Sequence, residues 1–178
     1  ESFPESCKCE VNETEDDFFA CVRKLHERYK HHPRLTIAMA PGIIFDFSKE
    51  AFLQMRATAD DLGIRMTMHT VETKTDNAYC LEKHEMRVFP FLESLGVLSS
   101  DFLAVHCVDL DEEDLRLFAK YDIQVSYNPL SNMIMGYDVT PIVEMRKRGI
   151  NVSLALDGAA SNDNQNMLEV LKTTALLQ

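Results

Sequence analysis

Two histidines, a glutamate and an aspartate carry most of the chemistry this sequence offers. "MHTVET" sets His69 and Glu72 three residues apart, and "AVHCVDL" holds His106. "INVSLALDGAASND" runs an apolar segment into Asp157, followed by Gly158 and small or polar residues. A neutral imidazole suits a divalent transition metal, and a nearby carboxylate can move protons. Taken singly, each has an ordinary explanation. A histidine at a strand end can satisfy backbone groups, a glutamate beside it can be solvated, and a histidine in an apolar strand is commonly a hydrogen-bonded core residue. Asp157 is the harder case, because an acid on a buried strand needs a partner or a metal to offset its desolvation. The remaining histidines read as structural: His26, His31 and His32 as solvated residues at the polar end of a helix, and His84 as a connection residue facing water. Asp111 and Asp163 read as helix-start acids.

These residues need elements to position them, and the chain alternates between two periodicities. Apolar residues at Phe18, Phe19, Val22, Leu25 and Tyr29 predict a helix over residues 18–30, ended by Pro33. "RLTIAMAP" predicts a strand stopped by Pro41. Ser48 is a candidate N-cap for a helix over 51–62, closed by Gly63. "IRMTMHT" predicts a strand, 85–95 a helix stopped by Gly96, and "FLAVHC" a strand. Asp111 opens a helix through Lys120, with acids in the first turn where the helix dipole favours them. "IQVSYNP" predicts a strand; Thr140 caps a helix that begins with Pro141 and ends at Gly149. "NVSLALD" and a helix over 164–177 complete the chain.

Strand and helix alternate five times, which argues for parallel βα units. Such units build either a doubly wound sheet or part of a (β/α)₈ barrel. His69, His106, Asn128 and Asp157 all fall at or just past the C-terminal ends of different strands. A barrel gathers its site residues on that face.

Composition narrows the function classes. The 178 residues carry a formal net charge of -11, which repels a nucleic-acid backbone and argues against a DNA- or RNA-binding module. No apolar run approaches the ~20 residues of a membrane span. The first residues are acidic, with no basic start or apolar stretch, so no secretory leader is expected there. Five irregularly spaced cysteines read as free thiols in a reducing, cytoplasmic compartment; Cys7 and Cys9 read as loop thiols rather than metal ligands.

"MHTVET", "AVHC", "YNPLSNM" and "LALDGAASND", in that order on successive strands, resemble the amidohydrolase superfamily. Within it they are most similar to the branch of chlorohydrolase-like and aminohydrolase enzymes that includes methylthioadenosine/S-adenosylhomocysteine deaminases, guanine deaminase and related aromatic deaminases. The resemblance covers residues 35–178. It implies an α/β fold, the C-terminal portion (about strands 4–8) of a (β/α)₈ barrel, holding one divalent metal, zinc or iron. It implies metal-dependent hydrolytic deamination of an N-heterocyclic aromatic substrate such as a purine, pterin, pyrimidine or triazine.

Residue by residue, His69 matches the metal-binding histidine of the fifth barrel strand. Asp157 matches the eighth-strand aspartate that binds the metal and takes a proton from the attacking water. Glu72 matches the proton-shuttling carboxylate, and His106 the sixth-strand histidine set against water or substrate. Asn128, Ser131 and Asn132 fall in the motif taken as substrate-binding. Asp157 then ends its strand to reach a metal at the barrel mouth, and the small residues after it leave room for substrate.

The chain also departs from the family pattern. No two histidines here are separated by one residue, so the first-strand His-x-His is not in this sequence. Gly42 stands near the position where several deaminases of the group carry a histidine. Residues 1–34 read as an N-terminal loop and helix at a truncated edge, and 35–178 as a partial barrel. A small heterocycle is the expected ligand. A second copy of the chain, or the missing barrel segment, is the expected cover for the open edge. A truncated, non-catalytic barrel kept for binding or assembly is the competing reading.

Overall fold

A computed structural model of the chain describes residues 14–178. Cys7 and Cys9 lie outside them. Four parallel strands form one sheet: β1 (Met66–Thr70), β2 (Phe102–His106), β3 (Gln124–Tyr127) and β4 (Val152–Leu154). Their spatial order is their sequence order, β1-β2-β3-β4. A doubly wound sheet reverses direction at a switch point. This one advances steadily, as a barrel does.

Residues of alternating direction on each strand divide the sheet into a covered face and an open one. Met66 and Met68 of β1, Phe102 and Ala104 of β2 and Val125 of β3 join one apolar core. Helices supply the rest of it: Phe52 and Met55 from α2 (Lys49–Leu62), Phe89 and Leu92 from α4 (Val88–Ser94), Leu117 and Phe118 from α5 (Glu112–Tyr121). Each such side chain contributes roughly 1.5–3 kcal/mol on leaving water. Thr67, Leu103 and Val105 point the other way and are half-buried, while His69 is exposed. Phe19 and Val22 of α1 (Glu15–Tyr29) belong to the same core.

Several local expectations need correction. The strand expected over 34–41 is reduced to one parallel bridge, Met39 to Met66. Met39 N donates to Arg65 O and Thr67 N to Met39 O, both at 2.8 Å. A regular ladder would next use residue 41, but Pro41 has no N–H to give. His69 N instead reaches Gly42 O at 3.1 Å, so the pairing slips by one residue. The first helix starts before Phe18, because Thr14 and Asp17 form a capping box.

Residues 74–84, expected as a connection, form α3 (Lys74–His84). Glu85 closes α3 in a left-handed conformation (φ 57) rather than opening the next helix, which begins at Val88. His84 is half-buried and stacks on Phe91, ring centroids 3.9 Å apart, so it does not simply face water.

The second half differs in similar ways. α6 (Pro129–Ile134) was also read through as strand end and loop. α7 (Ile142–Lys147) follows Pro141 without a side-chain cap, since Thr140 bonds elsewhere. β4 ends at Leu154, short of Asp157. α8 (Ala159–Asn162) forms from the small residues after Asp157, and α9 (Met167–Leu177) is capped by Asn166 rather than starting at Asn164. The expected caps at Ser48 and Asp111 and the left-handed Gly63 stop are all present. No helix among the described residues is long and apolar enough to cross a membrane.

Candidate active site

Because the four strands run parallel in register, their C-terminal ends share one rim. His69 is the penultimate residue of β1 and His106 the last of β2, with Thr70 paired to His106. Simple alternation would send the His69 and His106 side chains to opposite faces. The backbone prevents this. His106 (φ 70) and Cys107 (φ 56) both turn left-handed, as does Val71 (φ 43) beyond β1. The His106 ring thereby comes to 5.1 Å from that of His69, centroid to centroid, at 80°.

Left-handed non-glycine residues cost on the order of 1 kcal/mol or more each, and persist where surroundings over-determine them. Cys107 N donates to Thr70 O at 3.0 Å, and Val108 N to Val71 O at 3.0 Å. Thr140 Oγ1 donates to His106 O at 2.7 Å. Further out, Asn77 Nδ2 and Arg87 Nη2 donate to Asp109 O at 2.9 and 2.7 Å. The exit from β2 is therefore held from α3, from Arg87 at the N-cap of α4 and from the loop before α7.

The imidazole of His106 is buried and used on both sides. Nδ1 lies 2.8 Å from Asn132 Oδ1 in α6. An amide oxygen only accepts, so Nδ1 carries the proton and Nε2 presents a lone pair in the neutral ring. Nε2 is 3.5 Å from Glu72 Oε1. The ligand atoms of His69, Glu72 and His106 all lie within 4.8 Å of one another. Glu72 is fixed through its backbone: its N–H donates to Asp76 Oδ2 at 2.9 Å, at the start of α3. Burial pushes the Asp76 carboxyl above its ordinary range, against bonds from Glu72 N and Thr73 that hold it down; the Glu72 charge adds to the rise.

Asp157 lies beyond β4 on the same rim, in a left-handed conformation (φ 63), and is not part of that close group. Ser131 Oγ donates to its Oδ2 at 2.5 Å and Gly158 N to its Oδ1 at 2.8 Å. Partial burial raises its pKa, but those two donors and the nearby His106 outweigh burial and hold the carboxyl below its usual value. Asn162 Nδ2 in α8 donates to Leu156 O, fixing the backbone just before it.

Consecutive α6 residues thus hold both parts of the site: Ser131 grips Asp157 and Asn132 orients His106. Both are buried, with Ser131 Oγ on Asp157 and Asn132 Oδ1 on His106, while Asn132 Nδ2 has no partner among the described residues. Asn128 is buried at the head of α6, and its Oδ1 has no partner among the described residues. Thr140 and Asp76 were missed by sequence reading. Thr140 precedes a proline and so looked like a cap, and nothing in the spacing singled out Asp76.

The donor set fits a divalent metal. Two imidazoles and carboxylates are the ligands zinc takes, typically with three protein donors at a catalytic site. The bond from His106 Nδ1–H to an amide oxygen fixes the tautomer of the imidazole beside that donor set. At Gly42, a Cβ would collide with the Asp46 carboxylate, which accepts from Ile43 N at 3.1 Å.

Comparison with known proteins places the chain in a family. A family model described as the amidohydrolase family matches residues 4–178. A 5-methylthioadenosine/S-adenosylhomocysteine deaminase of Nitratidesulfovibrio vulgaris (strain DP4) is 36% identical over 159 residues, 89% of this chain and 36% of its own. A 5'-deoxyadenosine deaminase of Methanopyrus kandleri is 36% identical over 143 residues, 80% of this chain and 33% of its own. The chain therefore spans about a third of the length of these relatives.

Among solved structures, a zinc-bound adenosine deaminase from Xanthomonas campestris superposes with a TM-score of 0.91 at 27% identity, covering 94% of this chain and 38% of that one. A zinc-complexed atrazine chlorohydrolase from Arthrobacter aurescens gives 0.86 at 27% identity, covering 92% and 37%. The four-stranded parallel sheet is part of that barrel fold.

Proposed function

The chain belongs to the amidohydrolase family, and from that premise we propose that it supplies the metal-binding and proton-transfer rim of a hydrolytic deaminase acting on an N-heterocyclic aromatic substrate. The observation that carries the reading is the convergence of His69, Glu72 and His106 within 4.8 Å, with Asp157 on the same rim. Relatives named as deaminases of adenosine-type compounds, and neighbours named as triazine hydrolases, support the substrate class.

His69 and Asp157 would hold the metal, and zinc is the proposed ion because the two solved neighbours described above carry it. A bound divalent metal supplies Lewis acidity and brings the pKa of a water ligand to about 7. The chain's own groups do the rest. Asp157, held ionised by Ser131 and Gly158, accepts a proton from the attacking water. Glu72 carries a proton to the ring nitrogen and then to the departing amine. His106 places Nε2 toward the reacting oxygen, with its orientation set by Asn132. Water adds to the ring carbon, the C–N bond breaks, and the products are the oxo-heterocycle and ammonia.

The test is ammonia release over a panel of aminated purines, pterins, pyrimidines and triazines, using the protein at its full natural length. Asp157→Asn should nearly abolish release from the preferred substrate while leaving the circular dichroism spectrum unchanged. Undiminished release in that variant contradicts the assignment.

A further inference from the structure

One aromatic residue at the rim is not explained by packing. Gly136 turns left-handed after α6 (φ 75), a conformation glycine adopts without penalty, and the chain folds back on itself. Tyr137 N then donates to Asn132 O at 2.7 Å. The next residue, Asp138, pairs with Lys74 at the start of α3, Nζ to Oδ2 3.3 Å. That pair is exposed and adds little stability, but it locates the loop against the β1–α3 connection that carries Glu72. Two residues on, Thr140 Oγ1 donates to His106 O at 2.7 Å. The loop is thus fastened to the residue that orients His106, to the element beside Glu72 and to His106 itself.

Tyr137 sits between these fastenings and is half-buried. Partial burial raises the pKa of its phenol, and the negative charges of Glu72, Asp76 and Asp157 raise it further. Those three carboxylates come from β1–α3 and from beyond β4, so the ring lies within electrostatic reach of both halves of the site. The phenol stays protonated there, and its hydroxyl makes no hydrogen bond among the described residues. A protonated, unpaired donor on a half-buried ring beside the site is suited to a ligand with a flat π-face and in-plane acceptor nitrogens.

We propose that Tyr137 is a substrate-contacting residue: its ring walls the heterocycle and its hydroxyl donates to an acceptor atom of that ring. The proposal rests on the deaminase reading above and adds a specificity contact to it. A pocket built to donate to a ligand atom discriminates strongly against analogues lacking that atom.

The experiment measures kcat, KM, melting temperature and metal content for wild type, Tyr137→Phe and Tyr137→Leu at full natural length, on the preferred substrate of the panel. Binding of the same heterocycle is measured in parallel by calorimetry. Tyr137→Phe should raise KM and Kd by about threefold to tenfold, the loss of one neutral hydrogen bond. Tyr137→Leu should raise both further, with melting temperature and metal content unchanged. If Tyr137→Leu does not fold, the isosteric Phe variant decides. KM and Kd within twofold of wild type in the folded variants overturn the proposal while leaving the deaminase reading intact. A wild-type protein that neither turns over nor binds any heterocycle of the panel overturns both.

Discussion

Asn132 Oδ1 lies 2.8 Å from His106 Nδ1, so a buried amide in α6 sets which nitrogen of a β2 histidine faces the site. Asn132→Ala leaves Nδ1 without its partner and frees the ring to change tautomer. Removing such an outer partner typically lowers metal affinity or activity by about 10–100-fold. The kcat/KM of this variant should fall within that range while metal content changes little, because His69 and Asp157 are the proposed ligands, and a variant with wild-type kcat/KM would show that Asn132 does not orient His106.

Glu72 touches His106 Nε2 at 3.5 Å through its side chain and is otherwise held by its backbone. Glu72→Gln should therefore fold normally and fail at proton transfer. Turnover should drop by about 10²–10⁴-fold, the usual contribution of general acid–base catalysis, with the melting temperature little changed. Steady-state kinetics beside a thermal melt separates the two effects.

Thr140 clamps the carbonyl of a left-handed residue, and the clamp should matter to both stability and site geometry. Thr140→Val removes a buried hydrogen bond and should cost about 0.5–1.5 kcal/mol in urea denaturation at unchanged m-value. Turnover should fall as well, because the His106 backbone gains freedom. A stable variant with full turnover would mean the left-handed turn holds without it.

Sequence reading was most accurate where local chemistry is self-announcing. The capping acid Asp111, the Ser48 cap and the Gly63 stop each follow from a few adjacent residues. β1 and β2 were legible because their apolar runs end in histidines. α3 was not, because the residues it buries include Asp76 and Asn77 and its apolar stripe is weak. The 34–41 segment was over-read because its apolar run and its Pro41 stop were visible, but not that its pairing with β1 would shrink to the one bridge at Met39. Strand ends also placed His69, His106 and Asp157 on one rim. Nothing in the spacing revealed the three left-handed residues at 71, 106 and 107 that swing His106 toward His69.

Arg56 and Asp101 tie α2 to the start of β2 by a two-armed pair, Nη1–Oδ1 2.8 Å and Nη2–Oδ2 2.9 Å. Burial raises the Asp101 pKa, but the bonds from Arg56 and Ser99 outweigh it and hold the carboxyl below its usual value. A folded-state pKa below the unfolded one stabilises above the unfolded value and loses that contribution as pH falls through the folded one. Asp101→Asn should cost about 1–2 kcal/mol at pH 7. The gap between variant and wild type should close as pH drops below about 4, the ordinary aspartate range. Denaturation curves at pH 7, 5 and 3 check the sign, and a gap that widens toward acid would reverse it.

In the proposed function, the rim formed by His69, Glu72, His106 and Asp157 works with a bound divalent metal to release ammonia from an aromatic N-heterocycle. Its most direct test is ammonia release from the full-length protein before chelation, after exhaustive chelation, and after zinc is restored, with metal content measured at each stage. Turnover should disappear with the metal and return in proportion to zinc bound, with no return in His69→Ala. Ammonia release that persists at full rate in metal-free protein would contradict it.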